Sequence, residues 1–151
     1  MKKNTNKILS TNRKVYFNYE IISKLEVGIV LHGNEVKAMK NGNVSFNGSI
    51  IKFNADEAFI ENMFISKYQY ATTTIDYNYK RSRKLLMHKD ELRKIHIKIK
   101  EKGYTIMPLE VYINHKGIIK LLICLAKGRK LYDKREYIRN RDIKKEILKN
   151  Y

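Results

Sequence analysis

The feature that most constrains the fold is a pair of long apolar segments joined by a short turn. Residues 104–113 and 118–126 flank Asn114-His115-Lys116-Gly117. Apolar segments that are separated by turn-forming residues predict a β-hairpin. Pro108 lies inside the first segment and indicates an edge strand or a β-bulge, because proline has no amide hydrogen to donate to a neighbouring strand. The C-terminal half of the chain is therefore predicted to be antiparallel β-structure.

More strands are predicted upstream of this hairpin. Residues 21–31 alternate and then become continuously apolar, which predicts a strand with a bend or bulge at Gly28. Residues 49–53 and 58–65 flank the turn-like segment 54–57 and predict another hairpin. Short strands, hairpins and interposed helices at this length predict a mainly β fold. We expect an OB-fold-like antiparallel β-barrel with two or three short helices and a basic C-terminal tail.

Two segments have the features of helices. Residues 35–42 are compatible with a short helix that stops at Asn-Gly. In residues 90–102 apolar side chains recur at i, i+3 and i+7, lysines occupy the other face, and Gly103 follows as a stop signal. The tyrosine-rich segment 67–84 loses its apolar periodicity and is predicted to be a long loop, an element that compact domains usually keep for function.

Basic charge is concentrated in three parts of the chain, which has 151 residues and a net charge of +17. Residues 1–14 carry five basic residues and no acidic one. Residues 78–102 carry ten basic and three acidic residues, and residues 127–151 carry ten basic and four acidic residues. An A/T-rich genome accounts for part of a high lysine content, but it does not cluster arginine, and all eight arginines lie in these segments. The distribution indicates a polyanionic partner, either nucleic acid or an anionic membrane surface, and charge alone does not choose between them.

The two ends of the chain contain few apolar residues that could join a core. We predict that residues 1–11 are a disordered basic arm, that 12–126 form the barrel, and that 127–151 are a basic tail. The tail is expected to be disordered alone and to become helical when phosphates neutralise it. An alternative is a C-terminal helix that packs on the barrel through its isoleucines at positions 138, 143 and 147.

Several protein classes are disfavoured. A single cysteine, Cys124, excludes a disulfide framework and is expected to be a core thiol. The four histidines lack ligand spacing, so neither a metal nor a cofactor is expected. Phosphate-binding and nucleophile motifs are missing, so no catalytic residue is predicted and the protein is not expected to be an enzyme. Apolar stretches are too short to cross a bilayer and the N-terminus is polar, which predicts a cytoplasmic protein that does not associate with membranes.

Tyrosines alternate with cations in residues 13–19, 77–84 and 130–135. Unpaired bases stack on aromatic rings while cations hold the phosphates, so this pattern favours RNA with exposed loop bases. The alternative is that many of these tyrosines are ordinary packing residues. Binding is therefore a better interpretation of the sequence than catalysis.

Five motifs in a shared order resemble the SmpB family of SsrA-binding proteins over essentially the whole chain. They are Asn12-Arg13-Lys14 followed by Tyr19, the segment from Gly28 to Lys37, Arg81 to Lys89, Lys102 to Thr105, and Ala126 to Arg135. Tyr16-Phe17 differs from the basic residue and histidine that are more usual in the family.

This resemblance implies a non-catalytic protein that binds the tRNA-like domain of transfer-messenger RNA (tmRNA) and delivers it to stalled ribosomes in trans-translation. The implied partners are tmRNA and the ribosome, chiefly the small subunit and its rRNA, and the protein is expected to act as a monomer. The tail would occupy the empty mRNA channel near the decoding centre. A general OB-type RNA-binding or ribosome-associated protein without a rescue role is the alternative.

The resemblance also implies site residues. Those for RNA binding are Asn12, Arg13, Tyr19, Glu26, Glu35, Lys37, Arg81, Arg83, Lys84, Leu86 and His88. Those that would contact the ribosome are Lys127, Gly128, Arg129, Lys130, Tyr132, Asp133, Lys134 and Arg135. The acidic members are expected to orient cations or to accept hydrogen bonds from base edges and 2′-hydroxyls.

Overall fold

The structure is a computed structural model that describes residues 6–54, 56–68, 78–101, 103–129 and 131–149. For 131–133 and 146–149 only the backbone is described. The strands are β1 Lys7–Thr11, β2 Tyr19–Ile29, β3 Val44–Ser45, β4 Ile50–Asn54, β5 Glu57–Glu61, β6 Phe64–Ile65, β7 Arg83–Leu86, β8 Tyr104–Ile113 and β9 Ile119–Gly128. The helices are α1 Arg13–Asn18, α2 Gly33–Lys40, α3 Lys89–Ile99 and α4 Leu131–Lys149.

The strands form one large antiparallel sheet and one small one. The large sheet has the order β1-β8-β9-β2-β7-β5-β4, and β3 pairs with β6. Strand β4, at one end of the large sheet, contacts β8 near the other end, so the sheet curls into a partly open barrel. The predicted mainly β, OB-like architecture is confirmed. Four helices occur in the described residues instead of two or three.

Both predicted hairpins are present. The strand predicted over 58–65 is shorter than expected, because β5 ends at Glu61 and residues 64–65 pair with β3. Strands β8 and β9 pair from Ile113 and Ile119 at the turn to Tyr104 and Lys127 at the open end. The register shifts between Pro108 and Glu110, which confirms the bulge. Strand β8 is not an edge strand, since β1 pairs along its other side.

Residues 7–11 were predicted to belong to a disordered arm, and this part of the prediction is wrong. They form β1, which pairs with β8 from Ile113 to Glu110. The free side of β8 offers backbone groups that need hydrogen-bond partners, and Leu9 packs against the core. Pairing with β8 therefore orders residues 7–11, although their composition alone does not predict an ordered strand. The first five residues lie outside the described part of the chain.

The predicted irregularity at Gly28 lies elsewhere in β2. The register of β2 against β9 shifts between Ile21 and Ser23, whereas Gly28 is regularly paired with Lys120 on β9 and Leu86 on β7. The predicted loop over 67–84 is also shorter than expected, because Arg83 and Lys84 belong to β7. Residues 69–77 of that loop are outside the described ranges.

Buried side chains form two clusters on opposite faces of the sheet. The larger lies inside the barrel and contains Leu121, Ile123 and Ile60. The smaller lies beneath α1, a helix that periodicity did not predict, and contains Val15 and Cys124. Cys124 is confirmed as a core thiol, and burial raises the pKa of its thiol to about 11. Helix α1 thus covers one end of the outer face of the sheet and leaves the other end open.

Candidate nucleic-acid interface

Three of the predicted RNA-binding residues lie together on the open part of the outer face. Glu26 on β2, Leu86 at the end of β7 and His88 before α3 line one shallow pocket of about 360 Å³. Gly28 and Lys120 also line it. The sheet brings the groups together, since Gly28 pairs with Leu86 on one side and with Lys120 on the other.

Leu86 is an unusual surface residue because 55% of it is exposed although it is large and apolar. Its side chain extends over Gly28, where a Cβ would lie 3.1 Å from the Leu86 Cβ and 3.3 Å from its Cδ1. A glycine at this position is therefore required for the close approach of Leu86 to β2. Exposed apolar surface of this kind is suited to contact with the face of an unpaired base.

Glu26 is held by a residue that sequence reasoning missed. The Tyr112 hydroxyl on β8 donates a hydrogen bond to Glu26 Oε2. Burial raises the pKa of Tyr112, and the hydrogen bond to the nearby Glu26 carboxylate raises it further, so Tyr112 stays protonated at neutral pH. No sequence motif indicates this contact, because it depends on the strand register that brings Tyr112 opposite Lys120.

Glu35, Arg81 and Arg83, also predicted to bind RNA, form a separate ion cluster. Arg83 Nε lies 2.6 Å from Glu35 Oε2, and Arg81 pairs with Glu35 Oε1. Arg83 Nη1 donates to the carbonyl oxygens of Met63 and Arg81. The side chains of Glu35 and Arg83 are 1% and 0% exposed. The prediction that Glu35 and Arg83 contact RNA directly is therefore wrong, because both side chains are buried and their polar atoms connect α2 to β7.

The ionisation of Glu35 depends on this cluster. Burial by itself would raise the pKa of Glu35, but the His32 amide, which donates to Oε1 at 2.9 Å, and the two guanidinium groups outweigh it. The net effect is a lowered pKa, so Glu35 is charged at neutral pH. The expectation that an acidic member orients cations fits Glu35, which orients two arginines in the interior.

The predicted N-terminal residues lie around a different pocket, of about 260 Å³, which Asn12 and Tyr19 line. Asn12 has a structural role, since its side-chain amide donates to the carbonyl of Pro108 at 2.9 Å. Tyr19 packs against the cluster beneath α1. Arg13 is exposed on α1 and available to a partner.

Two predicted lysines lie on exposed surfaces. Lys84 is two residues from Leu86 on the outer face of β7, and its Nζ lies 3.1 Å from Glu57 Oε1. Lys37 on α2 places its Nζ 5.3 Å from the centre of the Tyr68 ring. Both weak surface contacts can exchange for a phosphate at little cost.

The tail begins as the end of β9 and continues as α4. Lys127 and Gly128 pair with Glu20 and Tyr19 of β2. The Arg129 amide donates to the carbonyl of Asn18 at 2.9 Å, and its Nε donates to the carbonyl of Tyr19 at 3.1 Å. The first residues of the predicted tail are therefore part of the folded barrel.

Helix α4 contacts the barrel through its first turns. The Arg129 guanidinium lies 4.8 Å from the centre of the Tyr137 ring, and Lys134 Nζ lies 5.7 Å from that of Phe17. The tail was predicted to be disordered by itself, whereas the structure has helix α4 there. The alternative of docking through isoleucines does not hold for Ile143, which is 48% exposed. Ile138 is half-buried and remains compatible with that alternative. Helix-favouring residues and the two cation–π contacts also contribute to the order of α4.

The other tail residues differ in how far the structure describes them. Arg135 is exposed on α4. Tyr132 and Asp133 belong to the backbone of α4, and their side chains lie outside the described part; Lys130 lies outside it altogether. Among the described residues, no group of three His, Cys, Asp or Glu side chains is placed to hold a metal ion. None of the helices in the described ranges combines the length and hydropathy that crossing a bilayer requires.

A curled antiparallel sheet that forms a partly open barrel is the architecture of OB-type folds, and a strongly basic chain is typical of nucleic-acid-binding proteins. A family model for the SmpB protein matches residues 9–151. The chain belongs to the SmpB family.

Bacterial relatives are similar along nearly their full length. An SsrA-binding protein of Persephonella marina is 45% identical over 145 residues, which cover 96% of this chain and 94% of that protein. One of Mycoplasma mycoides is 44% identical over 144 residues, 95% of this chain and 97% of that protein. In the solved structure "tmRNA-SmpB: a journey to the center of the bacterial ribosome", one chain matches with a TM-score of 0.68 and 39% identity, covering 86% of this chain and 94% of that chain.

Proposed function

We propose that the protein is an SsrA-binding protein that binds the tRNA-like domain of tmRNA and delivers it to stalled ribosomes for trans-translation, in the cytoplasm. The observation that carries the proposal is that Glu26, Leu86 and His88, which the family resemblance nominates from two distant segments, line one exposed pocket. The protein acts by binding and not by catalysis. Its task is to hold a folded RNA through unpaired bases and phosphates.

The basic helix α4 has a different task. It follows the last strand of the barrel and is exposed along most of its described length, so it can enter an RNA-lined channel without disturbing the sheet. We propose that it occupies the empty mRNA channel of the ribosome near the decoding centre. Its cations would replace contacts that a message makes when it is present.

RNA specificity is tested by comparing the affinity for a tRNA-like-domain transcript with that for a duplex DNA of equal length across a salt series. The proposal expects tighter binding of the RNA at every salt concentration, because duplex DNA offers phosphates but no unpaired bases. Equal affinity for both would contradict it. Binding of any single-stranded RNA without preference for the tRNA-like fold would instead favour a general RNA-binding protein.

The role of α4 is tested by deleting residues 131–151, which leaves Arg129 and its contacts with Asn18 and Tyr19 in place. We expect the truncated protein to keep most of its affinity for the tRNA-like domain and to lose tagging of nascent chains on stalled ribosomes in a reconstituted system. Loss of RNA affinity on truncation would place α4 in the primary RNA site.

A further inference from the structure

We infer that Tyr112 is a positioning residue that holds the Glu26 carboxylate so that its remaining acceptor sites read the donor edge of an unpaired guanine lying against Leu86. This inference rests on the proposed function and deepens it, because it names the base that the pocket accepts and a residue that the family motifs do not include.

The first step is the chemistry of the pocket. In a chain with a net charge of +17, this depression on the outer face is lined by two carboxylates, those of Glu26 and Glu91, together with the single lysine Lys120. A phosphate would be repelled by the carboxylates. A group that presents hydrogen-bond donors would be attracted to them, so the pocket is suited to a base edge and not to the RNA backbone.

The second step is the state of Glu26. Its Oε2 accepts the Tyr112 hydroxyl, whereas its Oε1 accepts no hydrogen bond from the described residues. A free carboxylate on an exposed strand would rotate about its side-chain bonds and lose entropy on binding. The bond from a buried, protonated tyrosine removes much of that freedom beforehand, so less of it is lost when RNA binds.

The third step is the identity of the base. On their pairing edges adenine and cytosine present one donor beside an acceptor, and uracil presents one donor between two acceptors. Guanine presents two adjacent donors, N1–H and N2–H. A carboxylate has about four acceptor sites, so Oε1 and the remaining site on Oε2 can accept both donors while Tyr112 holds Oε2, and guanine matches Glu26 better than the other three bases do. The apolar Leu86 side chain and the His88 ring beside Glu26 provide surfaces for the face of the base.

The test combines protein and RNA changes. Each unpaired guanine of a tRNA-like-domain transcript is replaced singly by inosine, which lacks the N2 amino group, and affinity is measured for the wild type and for Tyr112→Phe and Glu26→Gln. For the wild type we expect one inosine position to weaken binding about fivefold to tenfold. At that position the effect should disappear in Glu26→Gln and shrink in Tyr112→Phe, which keeps the ring but lacks the hydroxyl.

Controls separate this inference from a loss of folding and from the proposed function. Tyr104→Phe removes a hydroxyl from the other end of β8 and should keep full guanine–inosine discrimination, and thermal unfolding should show that each variant is folded. Tyr112→Phe with undiminished discrimination would overturn the positioning role. Loss of discrimination in Glu91→Gln but not in Glu26→Gln, or no inosine effect anywhere, would overturn the base reading. The proposed function would survive either result if the unmodified RNA still bound more tightly than duplex DNA.

Discussion

The family resemblance nominates both Glu26 and Glu35, yet their surroundings are opposite. Glu35 is buried, and the guanidinium groups of Arg81 and Arg83 occupy both its oxygens. Glu26 is exposed, held by Tyr112 through one oxygen, and lies beside the apolar surface of Leu86. The comparison shows that a family resemblance identifies residues that are required, but it does not distinguish those that the fold requires from those that the ligand requires. Burial and the use of polar atoms separate the two cases.

The largest expected effect comes from the buried cluster. Arg83→Met removes one partner of Glu35 and leaves its carboxylate under-compensated in the interior, which should lower the free energy of unfolding by about 3–5 kcal/mol. Denaturant unfolding of the two proteins measures this loss of stability. The control Arg93→Met, on the exposed face of α3, should change stability by less than about 0.5 kcal/mol. If the two variants were equally stable, the cluster would not support the fold.

The second prediction concerns pH. The folded-state pKa of Glu35 is lowered, so the stability it contributes is fully present above the ordinary glutamate pKa of 4.5 and is lost as the pH falls through the folded-state value. The stability difference between the wild type and Glu35→Gln, about 2 kcal/mol at neutral pH, should therefore shrink in acid. Unfolding curves measured from pH 7 to pH 3 test this. A difference that grew below pH 4.5 would reverse the assigned sign.

The third prediction concerns the exposed pocket. Leu86→Ala should weaken binding of the tRNA-like domain about tenfold, because it removes apolar surface that the RNA would cover, and should leave stability within about 0.5 kcal/mol of the wild type. Ile97→Ala is the matched control, since Ile97 is 65% exposed on α3 and does not line the pocket. Equal RNA affinities for the two variants would remove Leu86 from the binding surface.

The smallest expected effect is at Gly28. Gly28→Ala adds a methyl group 3.1 Å from Leu86 Cβ and forces the leucine to move, so RNA affinity should fall about threefold while the protein stays folded. Gly33→Ala is the control, because a Cβ added there meets no atom within 4 Å apart from its chain neighbours and the backbone of its own helix. The double variant Gly28→Ala/Leu86→Gly, which also removes the Cβ, should show no loss beyond that of Leu86→Gly alone. An additional loss would mean that Gly28 acts independently of Leu86.

Much of the architecture could be predicted because strand signals are local. Alternation and turn residues predicted both hairpins, and Pro108 predicted the bulge in β8. The predictions failed where a segment takes its order from a distant partner, as β1 does from β8. The prediction of a disordered tail failed for the same reason, because α4 contacts Phe17 and Arg129, which lie outside the helix.

By itself, the sequence determined the strand-rich fold, the clustering of basic residues and the family motifs, since each of these depends on residue type and spacing along the chain. Only the tertiary structure decided which motif residues face solvent. The contact of Tyr112 with Glu26 joins residues 86 positions apart, and that of Arg83 with Glu35 joins residues 48 apart. Such pairs follow from strand register and the curl of the sheet, and register reflects the packing of the whole barrel.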